Sequence, residues 1–238
     1  MADYKEAHGV RAKLVSSNPT NPTDGQLWYN STDEALRYKK ADSAGAWSTG
    51  GDLVNGRRLL AGSGTQTAGL AFGGSAVPTA YKSHTEEYNG SSWTEVGDLN
   101  SGRTTCGCAG TQTAALNFGG DNVGNGTVTQ LNESWNGSSW TELADLNTAG
   151  RLNAGGAGES TEAMYMGRYN PSPGNFDLCE QWNGSSWTEV NDLSTGRFFA
   201  AGSGTQSAGL LAGGRTGPGT TNLNNTEEFS GVFQITPE

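Results

Sequence analysis

Histidine occurs twice and cysteine three times in the 238 residues. Three is an odd count, so no disulfide framework suggests itself. Cys106 and Cys108 lie two apart, as thioredoxin-type and zinc pairs do not, and Cys179 alone cannot complete a four-ligand zinc site. His8 and His84 have no neighbouring ligand partners in the sequence. The expectation is buried, inert thiols, no metal and no cofactor. Charged residues make up only 16% of the chain and the formal balance is −10, which disfavours nucleic acid or an anionic membrane surface as the main partner. No apolar run approaches the roughly 18 residues of a membrane span, and the opening MADYKEAHGV is too polar for a signal peptide. Synthesis and folding in a cytoplasm, without membrane insertion, are expected. Helical periodicity is missing throughout, which leaves an all-β chain.

What the chain has in plenty is glycine, 37 residues, roughly double ordinary usage and a sign of many turns or tight packing positions. It also repeats itself. YNGSSWTEVGDL at 88–99 returns in close copies at 135–146 and 182–193, and Trp47, Trp93, Trp140 and Trp187 are spaced 46, 47 and 47 residues apart. Aligning the copies gives further columns: Arg57, Arg103, Arg151, Arg197; Leu70, Leu116, Met164, Leu210; Glu86, Glu133, Glu180, Glu227. Four repeats of about 47 residues result, a period that signals a radial or stacked array. Each reads as four short strands: a small-residue strand after Arg, an apolar strand such as TAGLAFGG, a loop of variable sequence, then a hairpin. Asn-Gly in the hairpin turn suits a tight turn in which both residues take positive φ. Near the axis of a radial array only Gly and Ala leave room, while the large aromatics suit the diverging outer strands. Cys108 shares a column with Gly62, Gly156 and Gly202, a packing position.

Arg before the first strand, Gly-Gly after the second (Gly73-Gly74, Gly119-Gly120, Gly213-Gly214), an aromatic on the third (Tyr88, Trp135, Trp182, Phe229) and Trp opening the fourth together resemble the kelch repeat of β-propellers. The third repeat departs from it with Gly167-Arg168. The resemblance covers 47–238 and implies a kelch-like propeller. Residues 1–24, with Pro19 and Pro22 among polar residues, read as an extended N-terminal arm. Residues 25–46 read as a degenerate hairpin in which Tyr38 and Trp47 stand for the aromatic and the Trp, able to help close the ring. SSNPTNPTDGQLWYNSTDEALRY and the YNGSSW repeats are similar to segments of bacteriophage tail-fibre and other virion proteins. That resemblance implies a virion structural protein, made in a host cytoplasm, that binds other virion subunits through the arm and a host surface glycan, and that forms a homo-oligomer. Many kelch domains are general protein-interaction modules. Other propellers are copper oxidases or sialidases, but two isolated histidines disfavour a multi-His copper site. DSAGAW at 42–47 is only a fragment of a Ser-x-Asp-x-Gly-x-x-Trp box, so no catalytic residue is expected.

A residue present in every repeat more often serves the contact that every repeat shares. The Glu column is therefore expected to pair with the Arg column at repeat junctions. The Asp52, Asp98, Asp145 and Asp192 column is expected to cap the following turn. The loops after the second strand vary instead: SAVPTAYKSH, DNVGNGTVTQ, RYNPSPGNFD and RTGPGTTNLN. Recognition tends to sit on such loops, and Tyr81, Lys82, Arg168, Tyr169 and Phe176 are the binding candidates.

Overall fold

The computed structural model describes residues 4–7, 10–20, 26–39, 47–76, 80–122, 127–149, 155–167, 176–216 and 221–231. Every regular element among them is a β-strand. The chain divides into two compact bodies, Met1–Thr49 and Gly50–Glu238.

The first body holds one four-stranded sheet. Tyr4–Ala7 and Val10–Val15 form a hairpin, Val10–Val15 runs parallel to Leu27–Asn30, and Leu27–Asn30 pairs antiparallel with Ala35–Tyr38. The stretch read as an extended arm thus contributes two paired strands. Tyr38 pairs back with Leu27, and Trp47 lies outside any strand, fully exposed. The hairpin instead turns at Asn30, whose Oδ1 accepts the N–H of Thr32 at 2.9 Å and of Asp33 at 3.3 Å. Trp28 is buried and its Nε1 donates to Asn18 Oδ1 at 3.1 Å.

The second body contains the repeats. In the first three, the strands run fourth-third-second-first across an antiparallel sheet: Ala61–Thr65, Ala68–Phe72, Thr85–Tyr88 and Trp93–Glu95 in the first repeat. In the second they are Gly107–Gly110, Ala115–Phe118, Asn132–Trp135 and Trp140–Glu142; in the third, Gly155–Gly158, Ala163–Met166, Cys179–Trp182 and Trp187–Val190. The fourth repeat has Ala201–Gly204, Ala208–Ala212 and Thr226–Ser230. Register is identical from sheet to sheet, with Ala71↔Glu86, Asn117↔Glu133, Tyr165↔Glu180 and Leu211↔Glu227 opposite one another. First strands of successive repeats lie side by side. The small column explains how: a Cβ on Gly156 would come within 2.4 Å of Cys108 O, and one on Gly202 within 2.5 Å of the Gly155 Cα.

Between sheets, one face of each second strand packs on the next repeat. Leu70 and Phe72 share a core with Ala115, Trp135 and Trp140; Leu116 and Phe118 share one with Ala163, Trp182 and Trp187. Trp140 stands edge-on to Phe72 at 4.9 Å and Trp187 to Phe118 at 4.9 Å. The copied aromatics therefore join repeats rather than fill one.

Two turn devices recur. The Asn-Gly-Ser-Ser hairpin is a four-residue loop between Tyr88 and Trp93 in which Gly90 alone takes positive φ (93°), rather than both Asn and Gly. Asn89 serves through its side chain: Oδ1 accepts the N–H of Ser91 and of Ser92, both at 3.0 Å, and Asn136 and Asn183 do the same. The Gly-Gly pairs follow from φ of 66° and 99° at Gly73 and Gly74, repeated at 119–120 and 213–214. At Gly120 a Cβ would also lie 2.7 Å from Thr104 O. Gly120→Ala is expected to destabilise the protein by about 1–3 kcal/mol; a thermal melt unchanged from wild type would contradict this account of the pair.

Candidate functional site

The third-strand glutamates receive the chain as it crosses from one repeat to the next. Glu133 Oε2 accepts the Asn100 N–H at 2.8 Å and its Oε1 accepts Arg103 Nη2 at 2.9 Å. Glu86 accepts the Val54 and Asn55 N–H groups at 2.7 and 3.3 Å and pairs with Arg57. Glu180 accepts Asn147 and Thr148 at 2.8 and 3.1 Å, and Glu227 accepts Ser194 and Thr195 at 2.7 and 3.3 Å while pairing with Arg197. Arg151 lies outside the described residues. Each pair joins a connection to the third strand of the repeat it enters. The turn N–H groups go to these glutamates; among the described residues the exposed Asp52, Asp98, Asp145 and Asp192 accept no backbone N–H of the turn, and Asp98 accepts the Ser83 hydroxyl instead.

The arginines do further work at the end of each sheet. Arg103 donates to Asn117 O and Leu131 O, and Arg197 to Gly213 O and Asn225 O; Leu131 O and Asn225 O also accept the Gly119 and Gly213 N–H groups, so the guanidinium is a second donor on each. Both arginines are fully buried. These columns hold the scaffold.

The variable loops lie at that same end, and they are more regular than their sequences suggest. Ser75–Ala76 pairs with Ala80–Tyr81, and Arg58 bridges to Ser75. Arg103–Thr104 pairs with Asp121–Asn122, which pairs with Thr127–Val128; Phe198, Arg215 and Asn222 form the same ladder in the fourth repeat. A small hairpin thus projects beside the residues after each described Arg. Two residues after it, Leu59, Thr105 and Phe199 have φ of 58°, 54° and 57°, a left-handed conformation that costs side-chain-bearing residues about 1–3 kcal/mol each. Thr105 is covered, but Leu59 and Phe199 are 50% and 51% exposed.

Around Phe199 an aromatic cluster forms. Its ring lies 5.1 Å from Phe198, Phe198 lies 6.1 Å from Phe176, and the Arg215 guanidinium sits 5.9 Å over the Phe198 ring. Of the residues singled out from sequence, Phe176 therefore belongs to this cluster. Lys82 is half-buried and its N–H donates to Gly74 O at 2.8 Å. Tyr81 is described through its backbone alone, and Arg168 and Tyr169 lie outside the described residues. The grouping of Phe198, Phe199 and Arg215 was not legible; the hint was that an aromatic follows Gly-Arg in one repeat.

Other chemistry is sparse among the described residues. His84, for which no partners were evident in sequence, lies with Glu95 and Asp98 so that their ligand atoms fall within 4.8 Å of one another. His84 stands in one repeat only, and both carboxylates are exposed. Between the third and fourth repeats a groove of about 230 Å³ has a mixed lining, Met164, Leu211 and Phe229 with Asn191, Asp192 and Glu227, and is smaller than the roughly 300 Å³ of an ordinary ligand pocket. Burial pushes the Cys106 thiol up to about 12, against a smaller opposing pull from Arg103, and that of Cys179 up to about 11; it raises Cys108 as well. All three are held as neutral thiols at pH 7, poor nucleophiles. No protein-family model and no curated protein matches the chain.

Glu133→Ala would leave the Arg103 charge buried without its partner and is expected to cost about 3–5 kcal/mol in denaturant unfolding; a loss below 1 kcal/mol would refute the keystone role. At Glu227 burial pushes the carboxyl up, but hydrogen bonds from Ser194 and the Arg197 guanidinium outweigh it and leave it below its ordinary value of 4.5. A lowered folded pKa gives stability that is present above 4.5 and disappears as pH falls through the lowered value. The margin of wild type over Glu227→Gln should therefore be constant near neutrality and shrink in acid; a margin that grows in acid would reverse the sign.

Proposed function

We propose that the chain is a non-enzymatic virion structural protein, a tail-fibre or adhesin-like component built on a kelch-like propeller scaffold, that binds other virion subunits and a host surface glycan. The observation that carries the glycan half is the cluster of Phe199, Phe198 and Arg215. The exposed Phe199 ring, held at a strained backbone position, stands next to Phe198, whose buried ring carries the Arg215 guanidinium; an exposed ring with polar groups nearby suits the apolar face and hydroxyls of a sugar. The resemblance of the YNGSSW repeats and of the 16–38 segment to virion proteins supports the setting. In the first body, Leu14, Tyr29 and Leu36 stand opposite one another across three strands and are 41%, 36% and 62% exposed. That row supports a subunit contact for the N-terminal segment, in the fashion of an apolar docking patch.

A second reading, a general protein-interaction module, uses the same hairpin end for a protein partner. Two measurements separate the readings. Virion particles purified from infected host should contain the chain, and a glycan array should give binding that Phe199→Gly weakens about tenfold or more. Gly is free to take positive φ, so this variant should melt no lower than wild type. Absence from particles together with a blank array would reject the proposal, and product formation from a bound glycan would make the protein an enzyme.

A further inference from the structure

The four repeats are joined by three junctions built on the same columns; apolar cover recurs at each, the Gln contact at two, and the Trp–Thr and Ser–Thr hydrogen bonds at the first. From the later repeat to the earlier one, Gln112 Nε2 donates to Gly69 O at 3.0 Å and Tyr88 O at 2.7 Å, and Gln206 Nε2 donates to Trp182 O. Trp140 Nε1 donates to Thr85 Oγ1 at 2.9 Å. From the earlier repeat to the later, Ser63 Oγ donates to Thr111 O at 3.1 Å. Apolar cover comes from Leu70, Leu116 and Met164, which are 2%, 0% and 0% exposed.

Among the described residues, the halves of this junction at the two ends of the array have no partner surface. The first repeat keeps the donor side: Gln66 shares the column of Gln112 and Gln206, is exposed and has no side-chain hydrogen bond among the described residues, and Tyr88 and Trp93 are half-exposed. Their counterparts Trp135, Trp140, Trp182 and Trp187 are all buried. The fourth repeat keeps the acceptor side. Leu210, in the column of Leu116 and Met164, is 37% exposed, and Thr226, in the column of buried Thr85, is exposed. Ser203, in the column of Ser63, is exposed too. First strands lie side by side from the first repeat through to the fourth, with no comparable adjacency of Ala201–Gly204 to Ala61–Thr65.

We propose that the fourth repeat docks on the first repeat of a second copy of this chain, head to tail, through the same contacts that join neighbouring repeats. Gln66 of one copy donates to the carbonyls of Gly209 and Phe229 of the other, Trp93 to the Thr226 hydroxyl, and Ser203 to Thr65 O, while Leu210 is covered by the Tyr88 and Trp93 rings. The junction is heterologous, so copies close into a ring or run on as a filament. The inference rests on the repeat geometry and stands apart from the virion and glycan reading.

The test uses the full chain and two variants at exposed positions. Gln66→Glu sets a carboxylate against carbonyl oxygens, and Leu210→Arg sets a charge into the apolar cover. Light scattering of wild type should give multiples of the 24.7 kDa chain that dissociate on dilution. Each variant should melt like wild type and raise the dissociation constant about tenfold or more, equivalent to about 1.4 kcal/mol. In an equimolar mixture the intact fourth repeat of the Gln66→Glu chain meets the intact first repeat of the Leu210→Arg chain. A two-chain species should therefore form at concentrations where either variant alone is monomeric. Three outcomes each overturn the proposal: a wild-type monomer at every concentration, which means the chain's ends are satisfied within one copy; an oligomer indifferent to both variants; or variants that dissociate but do not rescue each other, which marks a two-fold symmetric contact instead.

Discussion

A backbone N–H that has left the sheet needs an acceptor, and where the chain enters each repeat that acceptor is a third-strand glutamate. The connection between repeats leaves the fourth strand of one sheet and must reach the first strand of the next without a ladder of its own. Glu133 accepts the Asn100 N–H and the Arg103 guanidinium together, so one carboxylate fixes both the crossing chain and the Arg that follows it. The attraction within such a buried pair is set against the cost of removing both charges from water. Its worth lies in position. With the crossing pinned, Leu99 and Leu146 drop into the cores, and the next first strand begins at a fixed height beside its neighbour.

That arrangement was half legible. The Trp spacing gave the repeats, and recurrence of Arg and Glu gave the expectation that they meet. The caps were misassigned because local rules favour a nearby carboxylate: Asp98 stands beside the turn, whereas Glu133 comes 33 residues after Asn100 and arrives only through the sheet. The same reason hides the small hairpins, whose pairing with the residue after Arg links segments that sequence presents as variable loop. Asn89 was assigned to its turn for its tolerance of positive φ, while the structure uses its carboxamide. In the first body, matching Tyr38 and Trp47 to the repeat obscured the turn at Asn30, which uses the Asn device of the repeats without their Gly.

The left-handed residues could not have been foreseen at all, since Leu, Thr and Phe are poor choices for such a backbone. Their recurrence at Leu59, Thr105 and Phe199 shows that the strain belongs to the scaffold: the chain must reverse there to leave Arg inward and pair with the hairpin. Thr105 meets the demand under cover. Since the backbone cost is shared, exposure of an aromatic at Phe199 is not what the fold requires. A glycine would relieve the strain and a polar residue would suit the solvent.

Repeat proteins supply their own controls, because one column is seen in several environments. Leu70, Leu116 and Met164 show that an apolar residue in that column is there to be covered by the next repeat. Terminal repeats of such arrays ordinarily turn polar on their outer face to remain soluble. Leu210 keeps the apolar residue on the outer face of the fourth repeat, and Gln66 keeps the amide on the outer face of the first. The outer faces of the first and fourth repeats thus differ from a polar cap. They preserve, in complementary halves, the surface that the interior repeats bury against each other.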